Sequence, residues 1–219
     1  MKPTTWKMLA TAGLAVAAAC AFADAAPPPA DATAAVGRYL AEHGDFCLGK
    51  MDWPVDISAL DERARGRDVV QMPVLESLGL VQATAASAMR VEGPGVDEGD
   101  PPRPVAVRRY ALTPSGERFM REREVVVAGP QGEHVVRRRD LCAARLALDA
   151  VVDWQPAGAP DRFVATFTYV ATPAPWAATP AFRRVFPMAV RVIDGAHAMR
   201  LKQGFRRVGD AWVADGLAD

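Results

Sequence analysis

The sequence predicts an α+β fold in which a helix-rich first half packs against an antiparallel sheet that carries one helix. Apolar residues recur at helical spacing between residues 31 and 78, and short β-rich segments bounded by turns fill the second half. Hydrophobic residues make up 50% of the chain, which is enough to form a core. We expect a helix-rich subdomain over 35–138 and a β-rich subdomain over 139–219.

The first residues indicate the compartment. Lys2 and Lys7 precede an uncharged apolar run that ends in small residues at Ala23. A positive start, an apolar run and a small-residue exit are typical of a secretory signal. We therefore expect a signal peptide over 1–23, a flexible proline-bearing linker over 24–34, and a periplasmic location.

Two alternatives to a cleaved signal remain open. One is an uncleaved anchor, and the other is a lipoprotein acylated at Cys20, in which case the membrane becomes a partner. The 26 basic and 26 acidic side chains balance, so the charge predicts neither nucleic acid nor an anionic membrane as a partner. An envelope protein or a small molecule is the expected partner.

The cysteines and histidines indicate whether the protein contains a disulfide or a metal site. Beyond the signal, Cys47 and Cys142 remain, and an exported protein with two cysteines usually pairs them. Such a long loop contributes about 4–5 kcal/mol by chain-entropy arithmetic. Two separate buried thiols are the alternative. His43, His134 and His197 are far apart in sequence, so we expect no metal and no cofactor.

The first half contains three predicted helices, two predicted strands and a capped turn. Ser58 and Asp61 have the spacing of a capping box, Gly79 is a candidate left-handed helix stop, and Thr113-Pro114 opens a short helix. The helices are predicted over 31–42, 58–65 and 68–78, and the strands over 81–91 and 104–113.

The second half is predicted to consist mainly of strands. A Gly-Pro-Gln-Gly turn at 129–132 separates two valine-rich segments and indicates a hairpin. Strands are predicted over 141–154, 163–170, 188–193, 198–208 and 211–214; the segment 141–154 also fits a helix, and we prefer the strand. One helix is predicted over 176–186, between two prolines.

Residues 69–119 resemble a winged-helix module. The residues that carry the resemblance are a helix ending at Leu78-Gly79-Leu80-Val81, a two-stranded ribbon, and Leu112-Thr113-Pro114-Ser115-Gly116. The resemblance implies a fold and no function. An exported protein meets no chromosome, and the acidic loop at 97–100 has the wrong sign for phosphate contacts, so we expect no nucleic acid.

A second resemblance covers several short motifs. Phe46-Cys47-Leu48-Gly49-Lys50, Trp53-Pro54 and Asp140-Leu141-Cys142 are similar to exported proteobacterial proteins of unknown function, some labelled CpmK-like after proteins encoded beside carbapenem biosynthesis genes. The resemblance implies no chemistry and assigns no functional residue. It implies that both cysteines are features of the family.

No catalytic set is recognisable, so no catalytic residue is assigned. The serines lie in ordinary cap, helix or turn positions, and Gly-x-Ser-x-Gly is absent. The possible ligand contacts are the basic run Arg137, Arg138 and Arg139, which suits an anionic group, and the tryptophans. Trp53, Trp154, Trp176 and Trp212 either line a pocket or close the core, and we single out Trp53 and Trp176.

These observations favour a non-catalytic periplasmic binding or interaction protein. One alternative is an envelope hydrolase that acts on cell-wall material, with a site that sequence spacing does not reveal. Another is an antibiotic-protection or immunity protein, which depends on the second resemblance alone. Whether the protein is an enzyme stays open, with the sequence leaning against it.

Overall fold

The computed structural model describes residues 30–93, 95–97, 99–129 and 132–215. The predicted signal peptide and residues 24–29 of the predicted linker lie outside the described residues. The described chain begins in a helix at Ala30. None of its helices combines the length and the apolar character that crossing a membrane requires.

The described residues form six α-helices and nine strands. The helices are α1 Ala30–His43, α2 Ala59–Ala64, α3 Arg67–Ser77, α4 Pro114–Glu117, α5 Pro180–Val185 and α6 Pro187–Asp194, with a 3-10 turn at Pro175–Ala178. The strands are β1 Asp45–Cys47, β2 Val55–Ser58, β3 Val81–Arg90, β4 Arg103–Leu112, β5 Met120–Gly129, β6 Gly132–Ala157, β7 Ala159–Pro173, β8 Leu201–Val208 and β9 Ala211–Ala214.

The strands form two antiparallel sheets. The larger sheet has the order β1-β6-β7-β8-β9, and β5 pairs with the first part of β6. The smaller sheet has the order β2-β4-β3. β6 joins the whole arrangement because it pairs with β5, β1 and β7 in turn along its 26 residues.

Local sequence signals account for several element boundaries. The capping box is confirmed: the Ser58 hydroxyl accepts from the N–H of Asp61, and the Asp61 carboxylate accepts from the N–H of Ser58. Gly79 follows α3 with φ at 73°, which is the left-handed stop that the sequence predicts. The Thr113 hydroxyl accepts from the N–H of Gly116 and caps α4.

The expected helix-rich first subdomain is wrong, although the protein is an α+β mixture. Strand makes up 47% of the structure and helix 29%. The β5–β6 ribbon accounts for part of the difference, because it pairs over ten residues, from Met120 to Gly129 on β5, well beyond the valine-rich segments beside the predicted hairpin turn. The helices of the first half stay short because Gly66 separates α2 from α3 and Gly79 ends α3.

The predicted strand over 188–193 is also wrong, because these residues form α6. Pro187 occupies the first helical turn, where its missing N–H removes no hydrogen bond. Ala189 then lies buried against the core, and packing overrides the β preference of the valines and the isoleucine. The predicted helix over 176–186 is divided into the 3-10 turn and α5, which begins at Pro180.

Two hydrophobic clusters fill the interior. The first core is centred on Tyr110, Leu141 and Phe182, and the second core on Phe163 and Phe205. The first core takes buried side chains from residues 57 to 189, and the second from residues 32 to 205. The division into 35–138 and 139–219 stays a prediction.

Candidate functional site

An aromatic cleft lies at one edge of the second core. Its floor is Phe163, which β7 directs inward together with Ala165 and Phe167, because alternate residues of a strand face the same side. Phe163 is 5% exposed and stacks on Phe205, with ring centroids 5.0 Å apart. The floor is therefore anchored in the core.

Two tryptophans form the walls of the cleft. Trp154 of β6 meets Phe163 edge to face at 6.4 Å and an interplanar angle of 87°. Trp212 of β9 meets Phe163 at 4.8 Å and 75°. Both indoles are only partly buried, so each offers ring surface to solvent above the Phe163 floor.

The remaining lining adds an apolar surface and one charge of each sign. The volume of the cleft is about 320 Å³, at the lower end of the usual range for small-ligand sites. Two prolines come from the β6–β7 hairpin, Arg162 comes from β7, and two residues come from the first turn of α1. The full lining is Asp31, Ala32, Trp154, Pro156, Pro160, Arg162, Phe163 and Trp212.

A second, more polar cleft of about 190 Å³ shares Trp212 with the first. It lies between α1 and β9, and its α1 residues follow those of the aromatic cleft at helical spacing. Burial raises the pKa of Tyr39 and the charge of Arg123 opposes that rise, so the phenol stays a neutral hydrogen-bond donor at neutral pH. The lining is Ala35, Arg38, Tyr39, Glu42, His43, Ala211, Trp212, Val213 and Ala214.

The aromatic cleft can pack an apolar ring against its own aromatic rings. Aromatic side chains supply large contact area at a small entropic cost, and partly exposed indoles gain by being covered. The two charges, Asp31 and Arg162, can orient a polar edge of the same ligand. Within the described ranges, no group of His, Cys, Asp and Glu side chains could hold a metal ion.

The three arginines of the basic run do not converge on a single patch. Consecutive residues of β6 point to opposite faces of the ribbon. Each arginine pairs with an acid: Arg137 with Glu124 at 3.6 Å, Arg138 with Asp52 at 2.7 Å and Arg139 with Glu117 at 2.8 Å. They lie outside both clefts.

The two tryptophans singled out from the sequence lie elsewhere. The indole N–H of Trp53 donates to the carbonyl of Lys50 at 2.9 Å, and the Trp53 side chain packs against the first core. Trp176 is 6% exposed and lies edge to face against both Phe119 and Phe182. The tryptophans that line the cleft are Trp154 and Trp212. No sequence signal predicts that β6 and β9 each bring a tryptophan against Phe163.

The predicted disulfide is present and stabilises the junction between β1 and β6. Cys47 and Cys142 are cross-strand partners whose Cα atoms lie 3.7 Å apart. Beside them, the fully buried Asp140 accepts the N–H groups of Gly49 at 3.1 Å and Lys50 at 2.7 Å. This region is structural, because its polar groups are occupied by the protein itself.

One histidine has a geometry that suits acid–base chemistry. Asp149 has no partner in the β6–β7 register, where the pairing skips from Leu148 to Ala150. Its carboxylate lies 3.3 Å from Nδ1 of His197 and accepts the Thr168 hydroxyl at 2.9 Å. The His197 side chain is 67% exposed, so this pair lies on an open surface and not in a cleft.

No family model, no curated relative and no solved structure matches this chain.

Proposed function

We propose that the protein is an exported periplasmic binding protein that holds its ligand in the aromatic cleft and does no chemistry on it. The observation that carries the proposal is the pair of indoles standing nearly perpendicular to the Phe163 ring. Such exposed, anchored aromatic walls suit recognition of a ring-bearing ligand. The lining brings in one acid and one guanidinium but no assembled catalytic set.

Export is supported by the sequence and by the disulfide. The basic and apolar start of the chain has the pattern of a secretory signal, and disulfides persist in oxidising compartments such as the periplasm. The periplasm is therefore the compartment proposed for the ligand as well.

Intrinsic tryptophan fluorescence is the direct test, because both walls of the cleft are tryptophans. The exported protein would be titrated with soluble peptidoglycan fragments, a carbapenem and a proline-rich peptide. At least one probe should change the emission saturably. Trp154→Ala and Trp212→Ala should each weaken that binding about tenfold, which corresponds to about 1.4 kcal/mol.

Trp53→Phe is the matched control, since it removes an indole that packs against the first core and touches neither cleft. It should leave the dissociation constant unchanged. If no probe perturbs either cleft tryptophan, or if Trp53→Phe weakens binding as much as the cleft variants do, the cleft is not the ligand site.

An envelope hydrolase is the second candidate, and the Asp149–His197 pair favours it. The Asp149 carboxylate lies 3.3 Å from Nδ1 of the imidazole, which leaves Nε2 as the nitrogen that could act as a general base. If this is the function, purified protein releases fragments from peptidoglycan, His197→Asn abolishes the release, and Trp154→Ala preserves it. Absence of release by the wild-type protein argues against this candidate.

A further inference from the structure

The sequence that enters α1 suits the aromatic cleft. Pro27, Pro28 and Pro29 directly precede Ala30, the first residue of the helix. Consecutive prolines have fixed φ angles and favour the polyproline II conformation. Because proline has no backbone N–H, such a segment leaves no donor unpaired when it enters an apolar cleft.

Only a short stretch of chain joins the prolines to the lining of the cleft. Asp31 and Ala32 belong to its lining, and Pro29 is only two residues before Asp31. Extended chain spans at most about 3.6 Å per residue, so at most about 7 Å of chain joins Pro29 to Asp31 and at most about 14 Å joins Pro27 to Asp31. A segment that precedes Ala30 therefore needs no long linker to enter the cleft.

The chemistry of the cleft matches a proline ligand. Pro-rich segments dock in grooves lined by aromatic rings, where pyrrolidine rings pack on the ring faces. Here the two indole walls and the Phe163 floor supply those rings. A ligand that is already extended before binding loses little conformational entropy.

We propose that the aromatic cleft recognises a proline-bearing segment in the polyproline II conformation, and that its resident occupant is the chain's own Pro27–Pro29. This inference rests on the proposed function, because it names the ligand class of the same cleft. An attached segment has an effective concentration in the millimolar range, so weak intrinsic affinity is enough for occupancy. An external ligand must then displace the prolines.

The test uses the full chain purified after export, with Pro27, Pro28 and Pro29 all replaced by Ser. The indole N–H signals of Trp154 and Trp212 are followed by NMR and assigned with single Phe variants. Both signals should shift in the triple-Ser variant. The Trp53 signal should stay in place, because its N–H donates to Lys50.

A synthetic peptide, Ala-Ala-Pro-Pro-Pro-Ala-Asp, is then added in trans. It should bind the triple-Ser variant at least tenfold more tightly than the wild type and return both indole signals toward their wild-type positions. The same peptide with three serines is the control and should not bind. Trp154→Ala in the triple-Ser background should abolish the binding.

Three results would overturn the inference. The first is identical indole signals in the wild type and the triple-Ser variant. The second is equal affinity of the peptide for both proteins, which would show that Pro27–Pro29 do not occupy the cleft in the wild type. The third is no peptide binding by the triple-Ser variant. If a peptidoglycan fragment or a carbapenem still titrates the two cleft tryptophans, the proposed binding function survives and only the proline ligand is excluded.

Discussion

The two cores of the protein use aromatic residues in opposite ways. In the first core, Phe182 is fully buried, stacks on Phe186 at 4.6 Å and lies edge to face against Trp176. In the second core, Phe163 is equally well anchored, but Trp154 and Trp212 remain partly open to solvent. The first arrangement is closed, and the second ends in a cleft.

The difference follows from what covers each sheet. The first core lies between the small sheet, α3, α5 and α6. In the second core, α1 covers the β6–β7 pair, and a helix of 14 residues spans about 21 Å. The β6–β7 register runs from Ala144 to Ala157, which is about 45 Å of strand. α1 covers only part of that length, and its first turn, with Asp31 and Ala32, forms one side of the cleft, so Trp154 and Trp212 keep exposed ring surface.

The largest expected effect tests the closed core. Phe182→Ala should lower the free energy of unfolding by about 3–5 kcal/mol, because it opens a cavity among close-packed rings. Urea denaturation followed by circular dichroism measures this. A loss below about 1 kcal/mol would mean that the first core is not close-packed around Phe182.

The disulfide should have the next largest effect. Replacing both Cys47 and Cys142 by Ser releases a loop with a sequence separation of 95 residues. The unfolded chain gains entropy, and we expect a loss of about 2–5 kcal/mol. Urea midpoints measured with and without a reducing agent should differ for the wild type and coincide for the double variant. Coinciding midpoints in the wild type would show that the bond does not stabilise the fold.

Trp154→Ala sharpens the comparison between the cores. Because this indole is already partly hydrated, its removal should cost about 1–2 kcal/mol, clearly less than Phe182→Ala. The same urea titration measures both variants side by side. A loss equal to that of Phe182→Ala would show that the cleft wall is a core element and would weaken the binding proposal.

The smallest effect concerns acid stability outside both cores. Two hydrogen bonds from Arg109, each 2.7 Å, hold the pKa of Asp56 below its ordinary value of 3.8, against an opposing effect of burial. A lowered pKa means that the ionised form stabilises the fold. This contribution is fully present above pH 3.8, the ordinary pKa of an aspartate. It is lost as the pH falls through the lower pKa that Asp56 has in the folded protein.

Asp56→Asn should therefore lower stability by up to about 1 kcal/mol at pH 7, and its unfolding curve should approach that of the wild type at pH 2–3. Asp52→Asn is the control, because the Asp52 side chain is 87% exposed beside Arg138 and should change little at any pH. Urea unfolding measured between pH 2 and 7 gives both results. Parallel pH profiles for the wild type and Asp56→Asn would contradict the prediction.

The sequence by itself determined the features that depend on neighbouring residues or on compartment. The Ser58–Asp61 capping box, the Gly79 stop and the Thr113 cap are local arrangements of backbone and side chain, so their spacing predicts them. The Cys47–Cys142 bond was predictable because only two cysteines remain after the export signal. None of these features needs knowledge of which strands meet.

Only the tertiary structure decided the rest. Residues 188–193 have strand-forming side chains, yet packing of Ala189 on the first core makes them a helix. The cleft combines α1, β6, β7 and β9, whose residues Asp31, Trp154 and Trp212 are far apart in sequence. Their meeting depends on the order of the strands and on where α1 lies across the sheet, and neither is a property of any local segment. The tryptophans singled out beforehand therefore lay in the first core, while the cleft used the other two.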